Sequence, residues 1–245
     1  MKYVILAAGI GSRLAPQVND RPKILLDLGG GYTLLDQHIQ NALSQKAFDE
    51  VVIVAGYKFD QVNNFVEKNK NKHKIDVSVL FNKDYANTSP LRSLDLAARY
   101  VNGCDIAVVN GDLYYHSGIL KKLDYHKEGY NLFISRGCSG IDAMNVSLSN
   151  NHVASVSKGN PARKDCSESI GVFIVKGKRF FTLFARSLNK LLENPKAGYW
   201  HNIVDYLAKK EFVSYTDVGN FFWKEVDTCD DLMFLREHIY SHAKK

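Results

Sequence analysis

The fold of this chain is decided by one stretch, Leu6-Ala7-Ala8-Gly9-Ile10-Gly11-Ser12-Arg13-Leu14, with Arg21-Pro22-Lys23 shortly after it. The apolar run from Tyr3 to Leu6 reads as a buried strand. It gives way to small residues and then to a glycine turn that ends in an arginine. Glycines there let the backbone approach a ligand closely and aim its N–H groups at it. Arg13 and Lys23 add two fixed cations beside the loop. Together they point to a polyanion, most simply a nucleoside triphosphate.

Two familiar glycine loops do not fit. A P-loop needs Gly-x4-Gly-Lys-Ser/Thr, and Gly11 is followed by Ser12-Arg13-Leu14. A dinucleotide fingerprint needs a third glycine where Leu14 stands, which weakens a Rossmann oxidoreductase.

Outward from the loop, short apolar strands alternate with helix-period segments. Strands are expected at Tyr3–Ala7, Val51–Ala55, Val77–Phe81 and Asp105–Val109. Helices are expected at Thr33–Leu43, with Leu34, Leu35, His38, Ile39 and Ala42 on one face, and at Asp60–Val66, with Asp60 as N-cap. Two more are expected at Leu91–Tyr100 and Ser117–His126. Such alternation predicts an α/β, Rossmann-like, mostly parallel mixed sheet with helices on both faces. Its binding loops lie at the carboxyl ends of the strands, where the opening loop, Gly56-Tyr57 and Asn110-Gly111-Asp112 all fall.

The second half reads as a smaller, strand-rich, substrate-binding part. Strands are expected at Tyr130–Ser135 and Ile170–Val175, with a hairpin of Met144–Leu148 and Val153–Val156 about Ser149-Asn150-Asn151. Phe180–Leu192 and His201–Lys209 read as helices, separated by Pro195 and Gly198. Val213–Thr216 and Phe221–Val226 read as strands, and Asp227 or Thr228 caps a last helix ending near His242. No linker interrupts the chain. The expectation is one domain over residues 1–245, with about 1–128 binding the nucleotide and about 129–245 the acceptor.

Asp112 ends the apolar strand Ile106-Ala107-Val108-Val109 and its turn, so its carboxylate projects into the cleft at the sheet edge. Hard oxygen ligands of this kind suit Mg2+, which sits between carboxylates and phosphates. Asp227, after Trp223-Lys224-Glu225-Val226, is the second carboxylate such a site needs, although aspartate is also a good helix N-cap. Glu225 and Asp227 fall on the same side of an extended chain, and Asp227 is taken as the ligand. Arg13 and Lys23 are read as the catalytic cations that neutralise charge on a leaving pyrophosphate.

The order Leu-Ala-Ala-Gly-x-Gly-Ser-Arg-Leu followed by Pro-Lys resembles the signature of nucleotidyltransferases that make NDP-sugars and CDP-alcohols. Residues 82–94 narrow the likeness. Asn82, Tyr85, Asn87, Thr88, Ser93 and Leu94 are similar to the pattern in cytidylyltransferases that activate phosphocholine and phosphonates. Asp142-Ala143-Met144-Asn145-Val146, Val156-Ser157-Lys158, Glu168-Ser169-Ile170-Gly171-Val172 and Asp231-Leu232 continue it over nearly the whole chain. The resemblance implies nucleotide binding by Leu6, Ala7, Ala8, Gly9, Gly11, Ser12, Arg13, Lys23, Gly56, Tyr57, Asn82, Thr88 and Ser93. It implies Mg2+ on Asp112 and Asp227. Acceptor binding falls to Lys158, Glu168 and Arg92. One departure stands out: Thr88-Ser89-Pro90-Leu91-Arg92 places a bulky cation near the expected site, which argues for a more anionic acceptor than a quaternary ammonium. Tyr199, Trp200, Phe221, Phe222 and Trp223 are read as core or as an aromatic cage.

The implied reaction joins CMP from CTP to a phosphate or phosphonate monoester and releases pyrophosphate. Two alternatives stay open: a sugar-1-phosphate or polyol-phosphate enzyme using another NTP, and an inactive subunit that binds nucleotide-sugars. Composition sets outer bounds. The 245 residues are 45% hydrophobic and 24% charged, as in ordinary globular proteins. No apolar run approaches the length of a membrane span. Met1 is followed at once by a strand, leaving no room for a signal peptide, so a cytoplasmic setting is expected. The four cysteines are scattered and signal neither zinc nor a disulfide framework. The net charge of +6, including the run Lys68–Lys74, reads as a solvated surface rather than a nucleic-acid patch. A homodimer stays open as an assembly.

Overall fold

The computed structural model describes residues 1–14, 21–137, 142–159, 166–194 and 197–243. Its centre is the strand β1 (Lys2–Ala7), flanked in parallel by β4 (Glu50–Ala55) and β6 (Ile106–Asn110). The intervening chain holds a 3-10 turn (Lys23–Leu25), two short strands β2 (Asp27–Gly29) and β3 (Tyr32–Thr33), and helix α1 (Leu34–Leu43). Helix α2 (Phe59–Asn69) leads to the parallel edge strand β5 (Asp76–Phe81), and α3 (Pro90–Val101) returns to β6. After β7 (Leu113–Tyr115) come β8 (Gly129–Arg136), β9 (Met144–Ser149), β10 (His152–Lys158) and β11 (Ser167–Lys176). Helices α4 (Lys178–Leu192) and α5 (His201–Ala208), strands β12 (Val213–Asp217) and β13 (Trp223–Glu225), and α6 (Cys229–Ala243) complete the chain.

One sheet runs through both halves, in the order β10-β9-β11-β6-β1-β4-β5, with β8 joining β11 to β12. The first-half strands are parallel, and β11 enters antiparallel to β6. Alternate side chains of each strand feed opposite faces. Val4 and Val108 pack with α3, α4 and α5; Tyr3, Ile5 and Val109 pack with α1 and α2. The expected mixed α/β sheet with helices on both faces is the observed one. Thr33 and Asp36 form the reciprocal cap that starts α1, and its predicted inner face is buried. The hairpin turns at Asn150 and Asn151, both at positive φ as a primed two-residue turn requires.

Several local expectations are corrected. Helix α2 starts at Phe59, with Lys58 in the left-handed region, so Asp60 lies inside the first turn and is not the cap. The helix expected at Ser117–His126 is a 3-10 turn over Ser117–Lys122. The segment leaves helical geometry at Leu123, which is extended at φ −74 and ψ 131. The last strand is only Trp223–Glu225. Of the two caps left open for α6, Thr228 is the one formed: its hydroxyl accepts from the Asp231 amide at 3.2 Å, and the Asp231 carboxylate accepts from the Thr228 amide at 2.9 Å. Cys104 and Cys229 are free, but Cys166 is disulfide-bonded, its partner lying outside the described residues. The expectation of no disulfide is thereby overturned. The spacing of the cysteines held no cue to it, because pairing depends on where distant strands meet. Cys138 and Pro195 also lie outside the described residues. Among the described residues, no helix is long and apolar enough to cross a membrane.

Candidate active site

The carboxyl ends of β1 and β6, the loop before α3 and the returning segment 223–231 surround a cavity of about 570 Å3. The opening loop is held from beneath. Leu14, where a third glycine was sought, is fully buried against Leu26, Leu34, Val226 and Leu235. It ties the loop to α6, as a glycine could not. Gly11 has φ +66, and a Cβ there would come within 2.9 Å of Lys23 Cγ. Only glycine both adopts that angle and leaves room for the lysine's arm.

That arm carries the Lys23 ammonium to 3.1 Å from Asp112 Oδ2 and 2.6 Å from Asp227 Oδ1. Arg13 Nη2 lies 3.0 Å from the other Asp227 oxygen. Burial works against the Lys23 charge, yet Asp112 and Asp227 outweigh it and its pKa is raised. Asp227 reaches this point because β13 pairs with β7 and the Val226 amide donates to the Asp112 carbonyl at 2.9 Å. Glu225, the last residue of β13, accepts from Asn110 Nδ2 at 2.9 Å. Withdrawal from water, and then the nearby Asp112 charge, push its carboxyl well above the usual range.

On one flank, Asn82 Nδ2 donates to Ser93 Oγ at 3.0 Å and to Thr88 Oγ1 at 3.3 Å. All three line the cavity beside Tyr85. On the other, Lys158 sits 3.3 Å from Asp142 and 5.1 Å above the Tyr199 ring. Glu168, Trp200 and Trp223 complete that wall. Arg13 also approaches Asp142, at 3.8 Å, so the two flanks meet at the opening loop.

The structure therefore gathers Leu6, Ala7, Ala8, Gly9, Gly11, Arg13, Lys23, Asn82, Thr88, Ser93, Asp112, Asp227, Lys158 and Glu168 around one space. Four expected residues stand apart from its wall. Ser12 and Arg92 are exposed, and Gly56 and Tyr57 lie behind Tyr85. Arg92 is an exposed residue of α3 between the wall residues Pro90 and Ser93. Of the aromatics, Phe221 stacks on His116 and Phe222 on His238, away from the wall. Asn110, Tyr85, Asp142 and Ser169 also line the space; each stands within a loop or motif quoted from the sequence, but none had a site role of its own there. The strand-end position of Asn110 was the one local signal among them.

Asp112 and Asp227 offer hard oxygens that converge on a single cation, here the Lys23 ammonium. A donor set of that kind fits Mg2+, which takes one or two carboxylates and completes its shell with phosphates and water. Among the described residues, no group of three or more His, Cys, Asp or Glu could hold a metal.

A Rossmann-like sheet with a glycine loop, paired cations and paired carboxylates at its carboxyl edge defines a nucleotidyltransferase. Residues 3–132 match the MobA-like NTP transferase domain, and the chain belongs to that family. It is 25% identical to a choline-phosphate cytidylyltransferase of Haemophilus influenzae, over 100% of both chains. It is 24% identical to a CTP:phosphoglutamine cytidylyltransferase of Campylobacter jejuni, over 95% of this chain and 98% of that one. The fold is shared with a CTP:phosphocholine cytidylyltransferase from Streptococcus pneumoniae, with a TM-score of 0.77, 21% identity and coverage of 97% and 98% of the two chains.

Proposed function

We propose that this protein is a cytidylyltransferase that moves CMP from CTP onto a small phosphate or phosphonate monoester and releases pyrophosphate. The observation that carries the reading is the ion cluster Arg13–Asp227–Lys23–Asp112 at the mouth of the glycine loop, facing the Lys158 wall across one cavity. Relatives named for choline phosphate and phosphoglutamine support a CTP donor and a phosphate-bearing acceptor.

The chemistry asks little of protein bases. A phosphate monoester has a second pKa of ~6 and is largely dianionic at neutral pH, so its oxygen is already a nucleophile. It attacks the α-phosphorus in line, and the bond to the β-phosphate oxygen breaks. The loop from Ala8 to Arg13 cradles the triphosphate with its N–H groups. Arg13 and Lys23 stabilise the charge that collects on pyrophosphate. Lys158 holds the acceptor's phosphate, and Glu168 with Tyr199 and Trp200 shapes the far end. Asp112 and Asp227 would hold Mg2+, which supplies further neutralisation of the phosphate oxygens.

The test is a pyrophosphate-release panel of four NTPs against phosphocholine, 2-aminoethylphosphonate, glycerol and ribitol phosphates, and sugar-1-phosphates, all with Mg2+. CTP with one of the phospho-alcohol, phospho-amine or phosphonate acceptors is the expected pair. Turnover confined to a sugar-1-phosphate with UTP, GTP or dTTP would replace this reading with the sugar-nucleotide one.

A further inference from the structure

Asn110 closes β6 directly ahead of Gly111 and Asp112, and no role has been given to its side chain. Both ends of that amide are engaged. Its Oδ1 accepts from Trp200 Nε1 at 2.7 Å, and its Nδ2 donates to Glu225 Oε1 at 2.9 Å. An indole N–H only donates, so the orientation of the amide is dictated by its partners. The two partners belong to opposite parts of the site. Trp200 opens α5 beside Tyr199 in the acceptor wall. Glu225 ends β13, two residues before Asp227.

The surroundings are built to keep Asn110 there. Strand β11 shifts register between Ser169 and Phe173, and within the shift Gly171 has φ +84. A Cβ at Gly171 would lie 2.7 Å from Asn110 Nδ2, so the irregularity makes the room the amide occupies. The Gly171 amide donates to Ser169 Oγ at 3.1 Å, and Ser169 Oγ pairs with His201 Nε2 at 3.0 Å. The His201 ring stacks on Trp200 at 3.8 Å. The chain of contacts thus runs from Asn110 through Trp200, His201, Ser169 and Gly171 back to Asn110.

We infer that Asn110 is a positioning residue that sets the acceptor wall in register with the carboxylate corner, through Trp200 on one side and Glu225 on the other. The inference rests on the proposed transfer reaction. Asn110 is paired with Leu6 in the β1–β6 register, and its side-chain amide is taken up on both sides by protein groups, Trp200 and Glu225. Its loss acts by letting the wall drift, and small misplacements of reacting groups cost rate steeply.

The test compares Asn110→Ala, Asn110→Ser and Trp200→Phe, with transfer kinetics resolved for each substrate. Asn110→Ala is expected to lower kcat by about 10-fold to 100-fold and to raise the acceptor KM, while the CTP KM stays within about 2-fold. The serine, which keeps one donor and acceptor, is expected to recover part of that loss. Because Asn110 and Trp200 act through one bond, the double variant is expected to be no worse than the poorer single one. A readout independent of turnover is the emission of Trp200, isolated in a Trp223→Phe background. Asn110→Ala is expected to change it by freeing the indole N–H. Unchanged kcat, an equal rise in the CTP KM, or effects of Asn110→Ala and Trp200→Phe that multiply would overturn the assignment. So would Trp200 emission that ignores the substitution. If the wild-type protein transfers nothing to any acceptor, the proposed reaction fails, and the emission experiment still decides whether the Asn110–Trp200 bond exists.

Discussion

The central strands carry a cluster of charges at each end, and the two clusters behave in opposite ways. At the amino end, Lys2 lies 3.0 Å from Glu50, its partner in the β1–β4 register, and 3.3 Å from Asp49. Glu50 also accepts from Ser78 at 2.7 Å and from Tyr100 at 2.9 Å. Burial opposes the Glu50 charge, but Ser78, Lys2 and Tyr100 outweigh it and its pKa falls. At the carboxyl end, burial and then the neighbouring Asp112 charge raise the pKa of Glu225. Size does not separate the two regions, since a groove of about 910 Å3 borders the amino-end cluster. The difference lies in what the charges are satisfied by. The lower cluster is complete in itself. The upper one crowds carboxylates together around cations on a cavity, which is how sites are poised for a ligand that brings its own charge.

Disturbing the upper cluster is expected to have the largest effect. Asp112→Asn should cut pyrophosphate release by about 10²-fold to 10³-fold, since in the proposed mechanism it removes a charge on which transition-state stabilisation would rest. Its thermal unfolding should stay close to wild type. A variant that keeps near-normal turnover would make the two clusters equivalent and remove the comparison.

The lower cluster predicts the reverse pattern. Glu50→Ala removes the acceptor shared by Ser78, Tyr100 and Lys2, although the two hydroxyls keep their mutual contact at 3.0 Å, and should cost about 0.5–1.5 kcal/mol of stability, read by denaturant unfolding, while leaving transfer intact. The pH dependence has a definite sign. The folded pKa of Glu50 is depressed, so its contribution is fully present above the ordinary value of about 4.3 and is lost as pH falls through the lower, folded value. The gap between wild type and variant should therefore close in acid.

Lys23 sharpens the comparison further. In the proposed mechanism its ammonium and a divalent cation would compete for the same oxygens of Asp112 and Asp227. Lys23→Met should raise the affinity for Mn2+ without nucleotide by about 10-fold, measured from the free-ion paramagnetic signal, even as it abolishes turnover. Equal affinities would show that the lysine and the metal do not share a place. The smallest effect belongs to the cap that leaves Asp227 free. Thr228→Ala should cost about 1 kcal/mol by unfolding, with a modest loss of rate through Asp227.

Much of this was legible in the sequence. The strand-loop-cation order from Tyr3 to Lys23 is local, and so is the strand-turn-carboxylate order ending at Asp112. Each side chain's place follows from its own neighbours. The period-2 and period-3.6 patterns placed the sheet and its helices for the same reason. What failed to show depended on three-dimensional placement, some of it local and some of it on distant chain. Whether Asp227 or Thr228 capped α6 turned on how Asp231 folds back. Arg92 sat in the right segment but on the exposed side of α3. Asn110 acquires meaning only when Trp200 and Glu225 arrive from 90 and 115 residues away. The disulfide at Cys166 is of the same kind, as it depends on a contact that spacing along the chain does not reveal.

The most direct test of the whole account follows the α-phosphate itself. CTP labelled at the α-phosphorus is incubated with Mg2+ and the acceptor that the panel selects, using wild type and Asp112→Asn. The account predicts that label moves into an acceptor-linked product, one pyrophosphate appearing for each transfer, and that Asp112→Asn loses nearly all of it. Label that stays in CTP, or moves equally well in the variant, would contradict it.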